Sequence, residues 1–193
     1  MLGSKAKGFT LIEALVAITI LLLGVLGPLS VATRGITDGL IAKDKITALQ
    51  LAQEGIELVR TKVASNFRAG QNSPTSWLND SDLNSCVPGP CSVEPKNNVY
   101  SVCAPLPSTS CSIRYRSSDG IYVKYDSADS AQSGVIFNRT IQITKPAIVF
   151  PMITDPALGD PEVKVTVVVG WQDKTQFRSV TLNNYIYNPY DKL

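Results

Sequence analysis

Residues 3–32 read GSKAKGFTLIEALVAITILLLGVLGPLSVA and decide the fold. A short basic leader ends at a Gly8-Phe9 junction, and the rest of the stretch is apolar as far as Ala32. An apolar run of roughly 20 residues, rising about 1.5 Å per residue, spans the hydrocarbon core of a bilayer as a helix. The simplest interpretations are a single membrane anchor or a secretory signal peptide.

The position of Gly8 argues against a secretory signal peptide. Such a leader places its small-residue cleavage site after a short apolar region. Here Gly8 precedes the apolar region, and that region is long. A cut after Gly8 would remove the basic leader, keep the membrane helix and create a positive amine on Phe9.

Glu13 carries the only charge between Phe9 and Ala32. A carboxylate in lipid is costly, and such residues are usually paired or functional. An amine on Phe9 and a carboxylate on Glu13 of a neighbouring chain could neutralise each other at the same depth. Leaving one of two buried partners unpaired costs about 3–5 kcal/mol. Glu13 also lies in the first helical turn, where a negative charge suits the helix dipole.

Residues 7–15, KGFTLIEAL, resemble the prepilin signal of type IV pilins and type II secretion pseudopilins. The resemblance implies that a prepilin peptidase cleaves between Gly8 and Phe9 and methylates the Phe9 amine. It implies that the helix then bundles with its copies in a filament core, where Glu13 meets the Phe9 amine of the next subunit. The implied partners are the peptidase, other pilin or pseudopilin subunits, an inner-membrane assembly platform and membrane lipid.

Gly27-Pro28 is predicted to interrupt the apolar helix, because proline removes one backbone bond and crowds the preceding turn. An ordinary membrane-helix kink explains these residues equally well. In pilin-like proteins, a proline near this position accompanies local loosening of the helix inside the filament. The resemblance therefore implies that role for Gly27 and Pro28.

The pattern becomes amphipathic from Ile36 to about Phe67. Apolar residues recur there at spacings of three and four: Leu49, Ala52, Ile56, Val59, Val63 and Phe67. Glu57 and Arg60 have the spacing of an ion pair on the helix surface. A helix continuous from Phe9 to Phe67 would be about 90 Å long, which suits a filament subunit better than an ordinary globular domain.

The C-terminal part reads as strands. Alternating or β-branched runs predict strands at 121–125, 135–144, 163–171 and 176–187, the last two as a hairpin. Four prolines within 146–161 predict a loop. Phe137, Trp171 and Tyr185 are expected to be core aromatics. A long helix followed by antiparallel strands predicts a pilin-like α+β fold, with the helix, transmembrane in its N-terminal half, packed on the sheet.

Four cysteines lie in a region predicted to be irregular, 69–118, whose first part is rich in Ser, Asn, Pro and Gly. Their spacing, C-x4-C-x11-C-x7-C, lacks the paired C-x2-C knuckles of a zinc site. Two disulfides suit a domain outside the cytoplasm, and three connectivities are possible. Prolines between the members of each pair favour Cys86–Cys91 and Cys103–Cys111.

These patterns predict five segments: a leader at 1–8, a membrane or filament-core helix at 9–32, an amphipathic continuation at 33–68, a disulfide-containing loop region at 69–118 and a sheet region at 119–193.

Composition narrows the function classes. The chain has no histidine, which removes the commonest general base and metal ligand, and no catalytic, cofactor or metal site is predicted. Residues 80–84 have the opening spacing of a calcium loop, but Ser85 and Cys91 stand where glycine and glutamate are needed. Eighteen basic and 16 acidic side chains leave no basic field for nucleic acid.

Short pieces of the domain resemble minor pilins labelled type IV pilus modification proteins: residues 53–57, 137–141, 165–171, 178–182 and Tyr185. The predicted function is therefore a minor pilin that is first anchored in the cell membrane, with its N-terminus cytoplasmic before processing. It would then enter an extracellular or periplasmic filament. The alternatives are a pseudopilin of a type II secretion or DNA-uptake system and a membrane-anchored extracellular adhesin.

Overall fold

The computed structural model describes residue 8 and residues 10–69, 77–78, 82–87, 89–104, 109–144, 162–173 and 176–188. Its elements in chain order are α1 Leu11–Arg68, a 3-10 helix Leu83–Cys86, β1 Cys91–Glu94, β2 Val99–Val102, β3 Ser112–Arg116, β4 Ile121–Lys124, β5 Gln132–Thr144, β6 Glu162–Asp173 and β7 Gln176–Tyr187. The proline-rich stretch 146–161 lies outside the described residues.

Two compact units divide the chain at residues 43 and 44, and α1 contributes to both. In the first unit, the described side chains from Gly8 to Lys43 are exposed or half-buried. The interruption expected at Gly27-Pro28 is not observed, because α1 runs through Pro28. A proline removes only one N–H from the helical ladder, and the bonds on either side continue.

The described residues of the second unit form one antiparallel sheet of seven strands. Strand β5 is central: one of its edges pairs with β6, and the opposite edge pairs with β3 and then, at a single position, with β1. The β6–β7 hairpin runs in unbroken register from Glu162↔Tyr187 to Asp173↔Gln176. These observations confirm the α+β fold and the C-terminal hairpin.

The core lies between the second half of α1 and one face of the sheet. The helix buries Ala48, Leu51, Ala52, Gly55, Ile56, Val59, Val63 and Asn66. Alternate residues of β5 and β6 complete the core, among them Phe137, Ile141, Ile143, Val163, Val165, Val167, Val169 and Trp171. Leu49 and Phe67 are only half-buried, so the buried stripe differs at its ends from the predicted one.

Two predictions about the second unit are wrong. The range 69–118 is not irregular throughout, because it holds the 3-10 helix, β1, β2 and β3. The Ser-, Asn- and Pro-rich composition favoured an irregular region, but tertiary contacts decide short strands such as these. Tyr185 is not a core aromatic: it is 47% exposed, whereas the next residue, Ile186, is buried. Successive side chains of a strand point to opposite faces.

Candidate functional site

Helix α1 begins with a threonine cap. The carbonyl of Thr10 accepts hydrogen bonds from the backbone N–H groups of Glu13 and Ala14, each at 3.1 Å. The Glu13 N–H also lies 3.4 Å from the Thr10 hydroxyl oxygen. Thr10 thus satisfies donors of the first turn that have no partner within the helix. The backbone of Glu13 is therefore held at the third position of α1.

The apolar part of α1 exposes its side chains while satisfying its hydroxyl groups. Leu11 is 82% exposed and Leu23 is 75% exposed. The hydroxyls of Thr19, Ser30 and Thr33 donate to carbonyls of the preceding turn at 2.8, 2.8 and 3.0 Å. This helix is long and apolar enough to cross a membrane, judged by length and composition. Lipid offers no hydrogen bonds, so the internal bonds of the hydroxyls suit that surrounding.

Glu13 is the only charged residue between Leu11 and Thr33. It is exposed, and the structure records no ion pair for it among the described residues. Phe9, the predicted source of the partner amine, lies outside those residues, whereas Gly8 is described and exposed. The spacing Thr10-x-x-Glu13 is also that of a capping box, in which the carboxylate supports the helix start. Glu13 therefore has two candidate roles, one local and one between subunits.

Both cysteine pairs lie at disulfide-bonding distance in the second unit. Cys86 is joined to Cys91, and Cys103 is joined to Cys111, the connectivity that the prolines favoured. The two cysteines of the first pair are fully buried. The first disulfide links the 3-10 helix to the start of β1, and the second links the residue after β2 to the residue before β3.

A buried arginine connects the helix to the sheet. Arg139 of β5 has no exposed surface, and its Nη1 donates to Glu54 Oε2 at 2.6 Å and to the Leu51 carbonyl at 3.3 Å. Its Nη2 donates to the Val93 carbonyl of β1 at 2.7 Å. Burial lowers the pKa of Arg139, and the neighbouring Glu54 carboxylate opposes that shift. Three segments, α1, β1 and β5, thus meet at one guanidinium.

Gly55 permits the close approach of α1 to this arginine. A Cβ at residue 55 would lie 3.1 Å from Val167 Cγ1 and 3.5 Å from Arg139 Cδ. The 3.1 Å contact is tighter than ordinary packing allows without movement of the neighbours. The absence of a side chain at residue 55 therefore brings Glu54 within reach of Arg139.

Sequence reasoning missed the pairing of Glu54 with Arg139. Within the predicted strand 135–144, alternation puts Arg139 on the same face as Phe137 and Ile141, but an arginine is almost never fully buried unless it is paired. A charged residue on the apolar face of a strand is the signal that could have prompted a search for its partner. Glu54, next to a glycine on the helix, is the acid that the structure supplies.

The segment with calcium-loop spacing, 80–84, lies only partly within the described residues. Asp80 lies outside the described residues. The Asp82 carboxylate lies 2.7 Å from Lys62 Nζ, so this acid is engaged by a cation from α1. Glu57 and Arg60 form the surface ion pair expected from their spacing, at 2.8 Å.

Comparison with family models finds a match in the N-terminal stretch of the chain. Residues 3–27 match the model described as the prokaryotic N-terminal methylation motif. Comparison with curated proteins and with solved structures gave no match. The matched residues contain the basic leader, Gly8, Phe9 and Glu13, and they end one residue before Pro28.

The methylation motif indicates how proteins that carry it are processed and assembled. It implies processing by a prepilin peptidase and assembly with other pilin subunits, and the proteins that carry it are structural rather than enzymatic. The exposed apolar helix fits membrane anchoring followed by a place in a surface filament. The chain therefore carries the N-terminal signature of type IV pilins and pseudopilins.

Proposed function

We propose that this chain is a minor pilin, a structural subunit of a type IV pilus-like filament. The observation that carries the proposal is Glu13, a lone carboxylate at the start of an exposed apolar helix, within a methylation motif. The peptidase would cut between Gly8 and Phe9 and methylate the new amine. A specialised minor subunit, related to the type IV pilus modification proteins, fits the short similarities in the domain.

Assembly would transfer α1 from lipid into a bundle of like helices. The apolar side chains stay in apolar surroundings throughout, so the transfer involves little change in solvation. Glu13 would set the axial stagger, because one stagger places it beside the Phe9 amine of the neighbouring subunit. Other staggers would leave a carboxylate and an amine unpaired in a medium of low dielectric constant, which is costly.

One experiment separates the two candidate roles of Glu13. Glutamine can replace glutamate in a capping box, but it carries no charge to pair with an amine. We expect Glu13→Gln to be inserted and cleaved normally yet to be depleted from sheared filaments about as strongly as Glu13→Ala. The matched control is Thr10→Ala, which weakens the helix cap and leaves the charge, and which should enter filaments.

The outcome that contradicts the charge-pairing role is normal incorporation of Glu13→Gln together with loss of Thr10→Ala. The measurement is the amount of the subunit in sheared filaments relative to the membrane fraction. Processing is tested independently with Gly8→Val. We expect this variant to remain at the unprocessed mass and to keep residues 1–8, as read by mass spectrometry.

The assembly platform and the filament type belong to the same proposal. An inner-membrane assembly platform would extract α1 from lipid, and the mature subunit would reach the cell surface. A pseudopilin of a secretion or DNA-uptake system carries the same motif and is the second candidate. A pilus subunit should be recovered from filaments sheared from cells, whereas a pseudopilin should stay with the cell envelope under the same shear.

A further inference from the structure

The 3-10 helix, β1 and β2 form a small disulfide-bonded flap, residues 82–87 and 89–103, with few backbone links to the sheet. Its two strands pair with each other over four positions. Strand β1 pairs with β5 at one position, Cys91↔Ile141. Cys91 therefore carries both the ladder pair with β5 and the disulfide to Cys86.

Polar contacts join the flap to the rest of the second unit. The Tyr100 hydroxyl donates to the Leu58 carbonyl at 3.2 Å, and Lys62 pairs with Asp82 at 2.7 Å. A third contact is the bond from Arg139 to the Val93 carbonyl, at 2.7 Å, and a fourth is the ion pair of Lys96 with Asp119, at 3.1 Å. Of these contacts, the one from Arg139 alone involves a fully buried charge.

The buried guanidinium has little freedom to replace a lost acceptor. Within the described structure its Nε has no hydrogen-bond partner, and its other bonds go to Leu51 and Glu54. A buried donor that loses its acceptor retains the full desolvation penalty, which is larger for a charged group. Any movement of Val93 away from Arg139 would therefore destabilise the contact of β5 with α1 as well.

We propose that the Cys86–Cys91 disulfide and Arg139 act as one redox-dependent latch, which docks the flap on α1 only while the disulfide is intact. The disulfide fixes the start of β1, two residues before Val93, and so holds the Val93 carbonyl in front of the guanidinium. Reduction by a dithiol breaks the S–S bond, leaves two thiols and oxidises the dithiol to its own disulfide. The flap then leaves Arg139, and both sides of the contact loosen together.

The latch links docking of the flap to the compartment. Thiols stay reduced in the cytoplasm and are oxidised outside it. In a reducing compartment the flap stays undocked, and it docks once thiol–disulfide exchange with an oxidised dithiol forms the Cys86–Cys91 bond and leaves that oxidant as two thiols. The coupling between Cys86–Cys91 and Arg139 does not depend on whether the chain enters a filament, so its test is independent of the filament experiments.

The test is hydrogen exchange, read by mass spectrometry, of the full chain in detergent micelles. It compares exchange in peptides covering 91–102 and 48–63 with and without a strong dithiol reductant, in the natural chain and in Arg139→Met. In the natural chain we expect reduction to accelerate exchange about tenfold more than in Arg139→Met, a coupling of about 1.4 kcal/mol. The acceleration should appear in both peptides, since the flap and α1 meet at Arg139.

The second disulfide supplies the matched control. Cys103→Ser with Cys111→Ser removes a bridge that does not hold Val93, and its effect on exchange should be the same in both backgrounds. Cys86→Ser with Cys91→Ser should reproduce the effect of reduction. Equal acceleration in the natural chain and in Arg139→Met, or equal coupling for the two disulfides, would overturn the latch.

A second variant tests the same coupling while the guanidinium stays in place. Glu54→Gln leaves the guanidinium buried and removes its countercharge, so the bond to Val93 matters more. We expect reduction to accelerate exchange in 91–102 more strongly in Glu54→Gln than in the natural chain. An unchanged acceleration would contradict the coupling through Arg139.

Discussion

Replacing the half-exposed Glu54 is expected to destabilise the second unit more than replacing the buried Arg139. The Arg139 side chain is fully buried, whereas the Glu54 side chain is 39% exposed. Glu54→Ala leaves the guanidinium inside the core with carbonyl acceptors but no countercharge. Arg139→Met removes the buried charge, fills most of its volume and leaves a carboxylate that can turn toward water.

The magnitudes follow from these environments. Breaking a buried ion pair by removing one partner costs about 3–5 kcal/mol. Water reaches Glu54 and therefore part of this pair, so we expect the low end, about 3 kcal/mol, for Glu54→Ala. In Arg139→Met, the Val93 carbonyl loses its donor, a cost of about 1–3 kcal/mol. Removal of a desolvated charge offsets much of that cost, so the net change should be about 1 kcal/mol or less.

Urea unfolding of the full chain in detergent micelles measures the difference. Trp77 and Trp171 are buried, so their fluorescence reports loss of the core. The control is Glu57→Ala, which breaks an exposed pair with Arg60 and should cost about 0–1 kcal/mol. A larger loss of unfolding free energy for Arg139→Met than for Glu54→Ala would refute the reasoning.

Three further predictions test the packing and the electrostatics of the second unit. Gly55→Leu should lower the unfolding free energy by about 2 kcal/mol or more, because residue 55 faces Val167 at contact distance. The control Gly39→Leu should not lower it, because a Cβ at residue 39 meets nothing within 4 Å. Ile186→Ala should cost about 2–4 kcal/mol and Tyr185→Ala at most about 0.5 kcal/mol in the same urea assay, because only Ile186 is buried. The hydrogen bond from Lys96, followed by those from Ser118 and Arg116, lowers the pKa of Asp119 below its ordinary value of 3.8. The stability that the Asp119 carboxylate contributes is therefore present above pH 3.8 and is lost as the pH falls through the lowered pKa. Asp119→Asn should flatten that part of the stability profile, as measured by urea midpoints between about pH 5 and pH 2.

The parts of the fold that follow from local periodicity were predictable from the sequence. The apolar run of α1, its amphipathic continuation and the β6–β7 hairpin each repeat their pattern over at least ten residues. Such a repeat directly reports which side chains share a face. The N-terminal motif was equally readable, because its residue types and spacing lie within one short stretch.

The flap could not be predicted for a physical reason. Strands β1 and β2 have four residues each, and the backbone ladder between β1 and β5 has one position. Val93 and Tyr100 are buried in the core, and the strands are further held by a hydroxyl on a helix carbonyl and by a guanidinium from β5, which are contacts between residues far apart in the chain. No local pattern encodes such contacts, so Ser- and Pro-rich composition dominated the prediction there.

Two isolated charges, Arg139 and Glu13, show that the two halves of α1 differ in where a countercharge is found. Arg139 lies against the second half of the helix and finds its countercharge, Glu54, within the same chain. Glu13 lies in the first half, where most described side chains between Leu11 and Ala32 are exposed and apolar and where the described structure records no cation paired with it. A charge in an apolar surrounding is tolerated when it is paired. The fold itself supplies the countercharge of Arg139, whereas the described residues supply none for Glu13, which is the reason to seek the partner of Glu13 on another subunit.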